Sequence, residues 1–386
     1  MGEPCRMRSI HSPSVSAALL ALAWSACATT AAAAAAPVTS PANTLSAEAA
    51  SKAHDYRDKN FDYFVVGDPA RPRATHTEFA LALMGGGGRA DAAYASIARH
   101  AGDGHIVILR AVSDDTFDPE DGNYGQLYAT AWGPVVSAET FVFHHREASF
   151  DPRVVAALRA ADGIFLAGGD QGNYIRYWKG TPVQEALNAH VLANRPIGGS
   201  SAGLAILGHY SYTCLDSISM ESKVALADPY DSGITLETNF LHLRWLEHVL
   251  TDTHFSKRSR LGRLIVFLAR IGKERPGANP IGIGIDENSA VLVGADGIGR
   301  VAAGSAGSAW IVRPQRPARV LVAEQPLSMA DIRITRLAEG GTIDLKTGEV
   351  THAAAETLDT IERGALTHSS IASPILLRTI IPPDED

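Results

Sequence analysis

A serine between two glycines is the first feature of this chain that could carry out chemistry. The spacing Gly199-x-Ser201-x-Gly203 is that of a nucleophile elbow, in which the serine occupies a strained turn between a strand and a helix. The glycines suit such a turn because no Cβ crowds the backbone. The alternative is an ordinary helix N-terminus in which Ser200 or Ser201 is the N-cap. Residues elsewhere in the chain must decide between the two.

A serine nucleophile needs a general base, and the base needs an acid that orients it. His254 is the candidate base because it follows an apolar helix and precedes an arginine-rich turn. Glu287 is the candidate acid, at the end of an Ile/Gly-rich strand where an unpaired carboxylate would be costly. Glu221 is a rival acid, since it lies between the serine and the histidine in a polar segment. Taken alone, a histidine at this position is more often structural than catalytic.

Short apolar runs separated by helical segments indicate a parallel sheet that is covered on both faces. The runs that lead towards the serine are residues 79–84, 106–109, 140–143 and 163–167. Glycine-rich turns at 85–88, 168–171 and 199–203 each follow a predicted strand, and sites in such sheets lie at the carboxyl ends of the strands. We therefore expect the backbone N–H groups of Gly169 and Ala202 to form an oxyanion hole on this rim.

The sequence of the C-terminal half predicts further strands that belong to the same domain. Residues 280–286 and 291–294 read as two paired strands with Glu287 in the corner between them. From about residue 300 onward, short strands and glycine-containing turns indicate antiparallel additions. The predicted fold is therefore α/β, with a mostly parallel sheet between helices and C-terminal antiparallel strands. We expect one domain over residues 71–380.

The N-terminal segment has the pattern of a secretory signal rather than of a folded element. Basic residues precede an apolar run at 15–24 and an alanine tract that ends at residue 36, and this run is too short to span a membrane. We expect residues 1–36 to be the signal and residues 37–70 to be a linker and lead-in. The export pattern predicts a secreted or periplasmic protein. Cys27 follows Ser-Ala and suggests a lipid anchor as an alternative to free secretion.

Composition excludes some classes of function. The 386 residues are 46% hydrophobic and 20% charged, which suffices for a sizeable core. The formal net charge of −8 disfavours a general nucleic-acid or membrane-surface role. The sequence leaves open whether the chain forms a homodimer.

The motifs together resemble the cyanophycinase branch of the cyanophycinase/dipeptidase E serine peptidases. The resemblance covers residues 79–294, in the order of the family. Its motifs are Gly168-Gly-Asp-Gln171, Gly199-x-Ser-x-Gly203, Asp252-x-His-Phe-Ser-x-Arg-x-Arg-Leu-Gly-Arg263 and Asp286-Glu287-x-x-Ala290. The family implies a class I glutamine-amidotransferase-like fold, hydrolysis of bonds that follow aspartate, and a triad that matches Ser201, His254 and Glu287. It implies no metal or organic cofactor.

The resemblance also implies a substrate pocket. The positions that hold a β-aspartyl-arginine unit in cyanophycinase correspond here to Gln171, Asp252, Arg258, Arg260 and Arg263. Arginines can clamp carboxylates with two hydrogen bonds, while a carboxylate can pair with a guanidinium. The alternative to a binding role is that the three arginines form a solvent-exposed basic turn. Thr253 departs from the family pattern, which has glutamine before the histidine, and the segment between serine and histidine is longer than usual.

We therefore expect an exported serine peptidase that cleaves isoaspartyl bonds, as in cyanophycin, through an acyl-enzyme. A related Asp-X dipeptidase acting on short peptides is the alternative within the family. An inactive surface protein that binds acidic peptides is the alternative from another class. A general α/β-hydrolase esterase is disfavoured, because that fold places its histidine after the acid and here His254 precedes Glu287.

The elbow reading makes a testable prediction. Ser201→Ala should abolish hydrolysis of isoaspartyl substrates while leaving the fold intact, because one hydroxyl is lost and no cavity forms. Ser200→Ala should retain most of the activity. Steady-state assays of the two variants, with circular dichroism to verify folding, check this, and an inactive Ser200→Ala would place the nucleophile one residue earlier.

Overall fold

The computed structural model describes residues 56–74, 76–88, 90–112, 123–215, 219–303 and 307–369, all within the unit Leu45–Asp386. The predicted signal segment 1–36, with Cys27, lies outside these residues, as do residues 37–55 of the predicted linker. Among the described residues, no helix has both the length and the apolar character that a membrane crossing requires.

The described residues contain strands and helices in alternation, followed by a strand-rich C-terminal part. In chain order the strands are β1 (Tyr56–Arg57), β2 (Phe61–Gly67), β3 (Leu81–Met84), β4 (His105–Ala111), β5 (Ser137–Phe143), β6 (Gly163–Leu166), β7 (Ile197–Ser200), β8 (Tyr210–Tyr212), β9 (Leu236–Thr238), β10 (Val249–Asp252), β11 (Ile281–Ile285), β12 (Ala290–Val293), β13 (Ile298–Ala302), β14 (Ala309–Pro314), β15 (Met329–Leu337), β16 (Thr342–Asp344), β17 (Val350–Thr351), β18 (Ala355–Glu362) and β19 (Ala365–Ser369). The α-helices are α1 (Asp91–His100), α2 (Asn123–Leu127), α3 (Pro152–Ala160), α4 (Gln171–Trp178), α5 (Pro182–Leu192), α6 (Ala202–Ala205), α7 (Ser222–Ala227) and α8 (Leu261–Glu274), with a π-helical turn at Tyr128–Trp132 and a 3₁₀ turn at Arg146–Phe150.

The first sheet has the strand order β1-β2-β5-β4-β6-β7-β3-β12-β13-β16-β17. Its centre, from β5 to β3, is parallel throughout, and the strands outside this centre pair antiparallel. In β3, Leu81 and Leu83 join one apolar cluster while Ala82 and Met84 join another, so both faces are buried. Helix α1 covers one face, and α3, α4 and α5 cover the other. The predicted parallel core between helices is thus confirmed.

A second sheet has the order β19-β18-β15-β14-β11-β10-β8-β9. Strands β8, β10 and β11 are parallel, and the later strands add to β11 antiparallel. Helix α8 packs on this sheet, where a Cβ built on Gly282 would lie 2.9 Å from Leu268 Cδ1. The sequence indicated antiparallel additions, and the structure has them, but it divides them between two sheets.

The predicted pairing of residues 280–286 with 291–294 is wrong. Strand β11 pairs with β10 and β14 in the second sheet, whereas β12 pairs with β3 and β13 in the first. The chain changes sheets at the corner 286–289, where Asn288 has φ 58°. Two apolar runs with a short polar corner suit a hairpin equally well, and the free edge of β3 decides the outcome because it offers β12 a complete ladder.

Residues 61–67, which the sequence analysis placed in the lead-in, form a strand of the first sheet. Strand β2 pairs along its whole length with β5. The side chains of Phe61, Phe64, Val65 and Val66 are buried, and the apolar area that they remove from water stabilises the pairing.

Candidate active site

Ser201 occupies the strained turn that its spacing predicted. Its backbone has φ 52° and ψ −120°, between the end of β7 and the start of α6. A Cβ on Gly203 would lie 2.1 Å from the carbonyl oxygen of Leu166, and a Cβ on Gly199 would lie 2.6 Å from the backbone of Gly203. Only glycine fits these two positions, because the obstacle in each case is backbone. The strain at Ser201 is held by the surrounding sheet.

Ser201, His254 and Glu287 form a continuous hydrogen-bonded relay. Ser201 Oγ lies 2.8 Å from His254 Nε2, and His254 Nδ1 lies 2.7 Å from Glu287 Oε1. With Nδ1–H donating to the carboxylate, Nε2 is free to accept the serine proton. Glu221, the rival acid, is exposed at the N-terminus of α7, and the hydrogen-bonded acid on His254 is Glu287.

The relay follows from the parallel pairing of β10 and β11. The register pairs Asp252 with Gly284, so the loops after the two strands leave the sheet side by side. His254 lies two residues beyond the end of β10, and Glu287 lies two residues beyond the end of β11. Phe255 packs directly on Gly284, where a Cβ would lie 2.4 Å from the ring. The ring therefore fixes the loop that carries the histidine.

The Gly85–Gly88 turn packs directly against all three relay residues, a role that the sequence analysis did not assign. A Cβ on Gly86 would lie 2.6 Å from His254 Nε2 and 3.0 Å from Ser201 Cβ. A Cβ on Gly87 would lie 2.7 Å from Glu287 Cβ. Both glycines have positive φ, 97° and 78°, which also favours glycine. The signal was present in the sequence as four consecutive glycines after a strand.

The electrostatic environment keeps the histidine neutral and the glutamate charged. Burial lowers the pKa of His254, and the hydrogen bond to Glu287 opposes this shift only in part. Burial alone would raise the pKa of Glu287, but hydrogen bonds from Lys257 and His254 outweigh it, and the pKa lies below its usual value. A neutral imidazole beside a carboxylate is the state that a general base requires. Lys257 is a further residue of the site that the sequence analysis missed.

The turn that contains Gly169 borders the nucleophile. A Cβ on Gly168 would lie 3.6 Å from Ser201 Cβ, and Ala202 directly follows the serine. Asp170 caps α4 by accepting hydrogen bonds from Gly172 N and Asn173 N, at 2.7 and 3.3 Å. The oxyanion role of Gly169 and Ala202 stays a prediction.

Asp252, Arg260 and Arg263 form a buried ionic cluster beside the relay. Arg263 donates to both carboxylate oxygens of Asp252, at 2.8 and 2.5 Å. Arg260 Nη1 lies 3.4 Å from Asp252 Oδ1 and donates to Thr253 Oγ1 at 2.8 Å. Ser219, which the sequence analysis missed, accepts from Arg260 and Arg263 at 3.2 and 2.8 Å. Both arginines are buried, so the solvated-turn reading is wrong for them.

The charges in this cluster are unequal. Burial would raise the pKa of Asp252, but the two guanidinium groups outweigh it and lower the pKa. Burial lowers the pKa of Arg260 to about 10, against the attraction of Asp252. Two guanidinium groups therefore share one carboxylate.

The remaining predicted pocket residues lie at the edges of the cluster. Arg258 is exposed, and no hydrogen bond or ion pair reaches its side chain within the described residues. Gln171, the first residue of α4, donates its side-chain amide to the carbonyl oxygen of Tyr212. Within the described residues, the side chain of Gln171 thus has a hydrogen-bond partner in the protein, whereas that of Arg258 is exposed to solvent.

A strained serine, a neutral histidine and a charged glutamate in series define a serine-hydrolase type of site. The sequence of the region that carries them is similar to a known family of peptidases. Residues 128–301 match the model of Peptidase family S51. This segment contains all three relay residues, so the resemblance drawn from the motifs is confirmed.

Curated relatives agree with this similarity. The chain is 33% identical over 206 residues to a cyanophycinase of Synechococcus elongatus, covering 52% of this chain and 58% of that protein. It is 31% identical over 214 residues to a cyanophycinase of Nostoc sp., covering 54% of this chain and 65% of that protein. The matched stretch spans less than two thirds of either relative. A crystal structure of a peptidase from an acI-B1 Actinobacterium matches 70% of this chain and 98% of its own, at 17% identity and a TM-score of 0.48.

The relay predicts a large difference between the two candidate acids. Glu287→Gln should lower kcat by about 10⁴-fold at most, because loss of the orienting acid leaves the imidazole in the wrong tautomer and the imidazolium unstabilised. Glu221→Gln, an exposed matched control, should retain the kcat of the wild-type protein. Steady-state kinetics of the two variants check this, and equal activity of Glu287→Gln and wild type would remove Glu287 from the triad.

Proposed function

We propose that the protein is a serine peptidase that hydrolyses isoaspartyl bonds in cyanophycin-like β-Asp-Arg substrates. The observation that carries this proposal is the position of the ionic cluster. Asp252 and Arg260 lie in the same loop region as His254, so an anionic substrate group bound there would lie beside the nucleophile. The similarity to cyanophycinases supports the same substrate class.

The geometry supports an acyl-enzyme route. Ser201 Oγ attacks the scissile carbonyl carbon, while His254 Nε2 accepts the serine proton and Glu287 stabilises the imidazolium. His254 then gives this proton to the leaving amine as the C–N bond breaks. Water then attacks the acyl carbon while Nε2 accepts its proton, and Nε2 returns this proton to Ser201 Oγ as the ester bond breaks and the acid product leaves. The intact relay disfavours the alternative of an inactive binding protein.

Substrate recognition is divided between exposed and buried charges. Both oxygens of Asp252 are engaged by Arg263, so we assign Asp252 to holding the arginines rather than to pairing with a substrate guanidinium. Arg258 lies outside this cluster and is exposed, and we assign it to the substrate carboxylate. This assignment revises the sequence-based interpretation, in which all four charged residues contacted substrate.

The alternative within the family, an Asp-X dipeptidase, requires only short substrates. A panel that contains cyanophycin, β-Asp-Arg peptides and Asp-X dipeptides distinguishes the two activities. Release of dipeptides from the polymer supports the proposal, whereas cleavage restricted to Asp-X dipeptides replaces it with the alternative.

We also propose export. The basic and apolar pattern of residues 1–36 supports a signal, and Cys27 supports lipidation. Expression of the full chain should place processed protein outside the cytoplasm, while a variant without residues 1–36 should stay inside. A Cys27→Ser variant separates the lipid anchor from free secretion, because only the anchored form would change from membrane to soluble fractions.

The assignment of Arg258 predicts a pairing with the substrate carboxylate. Arg258→Met should lower kcat/KM for a β-Asp-Arg substrate by about 10-fold or more, since a hydrogen bond to a charged group contributes roughly 1.5–3 kcal/mol. With the corresponding carboxamide substrate, the same substitution should have little effect. Arg300→Met, at an exposed position on β13, serves as the matched control. An equal loss on carboxylate and carboxamide substrates would contradict the assignment.

A further inference from the structure

The outer oxygen of the triad carboxylate has its own partner. Glu287 Oε1 accepts from His254, and Glu287 Oε2 accepts from Lys257 Nζ at 2.9 Å. The lysine comes from the loop after β10 and the glutamate from the corner after β11. Each oxygen of the carboxylate therefore receives one donor from the same neighbouring loop.

These contacts restrict the position of the carboxylate. Gly87 packs against the glutamate, with a built Cβ 2.7–2.9 Å from Glu287 Cβ, Cγ and Cδ. The glycine turn limits the side chain on one side, His254 binds its inner oxygen, and Lys257 binds its outer oxygen. Loss of the lysine would free the carboxylate to rotate away from the histidine, since rotation about the terminal torsion is broad.

We propose that Lys257 is a positioning residue for the triad, holding Glu287 as an ionised carboxylate in line with His254. The proposal rests on the proposed function only in taking Ser201 as the nucleophile. Lys257 acts through Glu287 and makes no contact with Ser201 or His254 in the hydrogen-bond pattern of the described residues.

The charges around the histidine give the direction of the pH effect. His254 faces Glu287 from the β11 corner and Arg258 and Arg260 from its own loop. Lys257 faces Glu287 and favours its charged form. The hydrogen bond and charge of Glu287 raise the pKa of His254, against the larger effect of burial, so a carboxylate that rotates away without Lys257 leaves that pKa lower. Because the neutral imidazole is the active form, the acidic limb of activity then moves to lower pH.

The size of the effect is limited by exposure. The side chain of Lys257 is 71% exposed and that of Glu287 is 17% exposed, so water screens much of the interaction. An exposed ion pair of this kind corresponds to a rate change of about threefold to fivefold. The accompanying shift of the acidic limb is about half a pH unit or less.

The experiment compares Lys257→Met, Lys257→Arg and the wild-type protein. Lys179→Met is the matched control, because Lys179 forms a comparable exposed ion pair with Glu237 away from the relay. Two readouts are followed over pH: kcat/KM for an isoaspartyl peptide, and the rate at which a fluorophosphonate labels Ser201. In the labelling reaction, Ser201 Oγ displaces fluoride from phosphorus and His254 accepts the proton, so the rate reports the relay without a peptide.

The proposal expects Lys257→Met to slow labelling about threefold to fivefold and to move its acidic limb to lower pH. Lys257→Arg should restore both properties, and Lys179→Met should match the wild-type protein. Unchanged labelling rate and pH limb in Lys257→Met would overturn the proposal. Labelling without any isoaspartyl cleavage by the wild-type protein would overturn the proposed function and leave the role of Lys257 decided by the labelling data.

Discussion

Close backbone contact between a glycine turn and two loops is the constraint on which the site depends. His254 N donates to Gly85 O at 2.8 Å, Asn288 N donates to Gly86 O at 3.0 Å, and Gly85 N donates to Ser289 O at 3.0 Å. Ser201 follows β7 of the first sheet, whereas His254 and Glu287 follow β10 and β11 of the second. These three hydrogen bonds therefore connect the parts of the two sheets that carry the Ser201–His254–Glu287 relay. A side chain on the turn would force the halves apart.

Ser201 and Glu287 could be predicted from sequence because each follows a run that reads as a strand, whereas His254 follows β10, which the sequence analysis interpreted as a helix. Ser201, His254 and Glu287 all lie one or two residues beyond a strand end, and such positions converge in parallel sheets. Lys257 and Ser219, which were missed, show no local pattern, and the four glycines at 85–88 marked a turn without revealing which residues it contacts. Their positions depend on which loops meet, which is a property of the tertiary structure.

The division into two sheets was also beyond the sequence patterns. An apolar run with glycine predicts a strand but not its neighbours, because ladder partners are set by the edges that remain free. Strand β12 pairs with β3 through four residue pairs, and β11 pairs with β10 through four. The corner between them has the composition of a hairpin turn, and only the presence of both free edges separates β11 from β12.

The buried arginines also affect the electrostatics of the relay. Burying two guanidinium groups with one carboxylate leaves an excess of positive charge, which is costly away from water unless anions approach. Arg258 and Arg260 also help to lower the pKa of His254, after the larger effect of burial. The same positive charges therefore help to keep His254 neutral. Thr253 contributes to this arrangement, because its hydroxyl accepts a hydrogen bond from Arg260 and holds that charge beside the histidine.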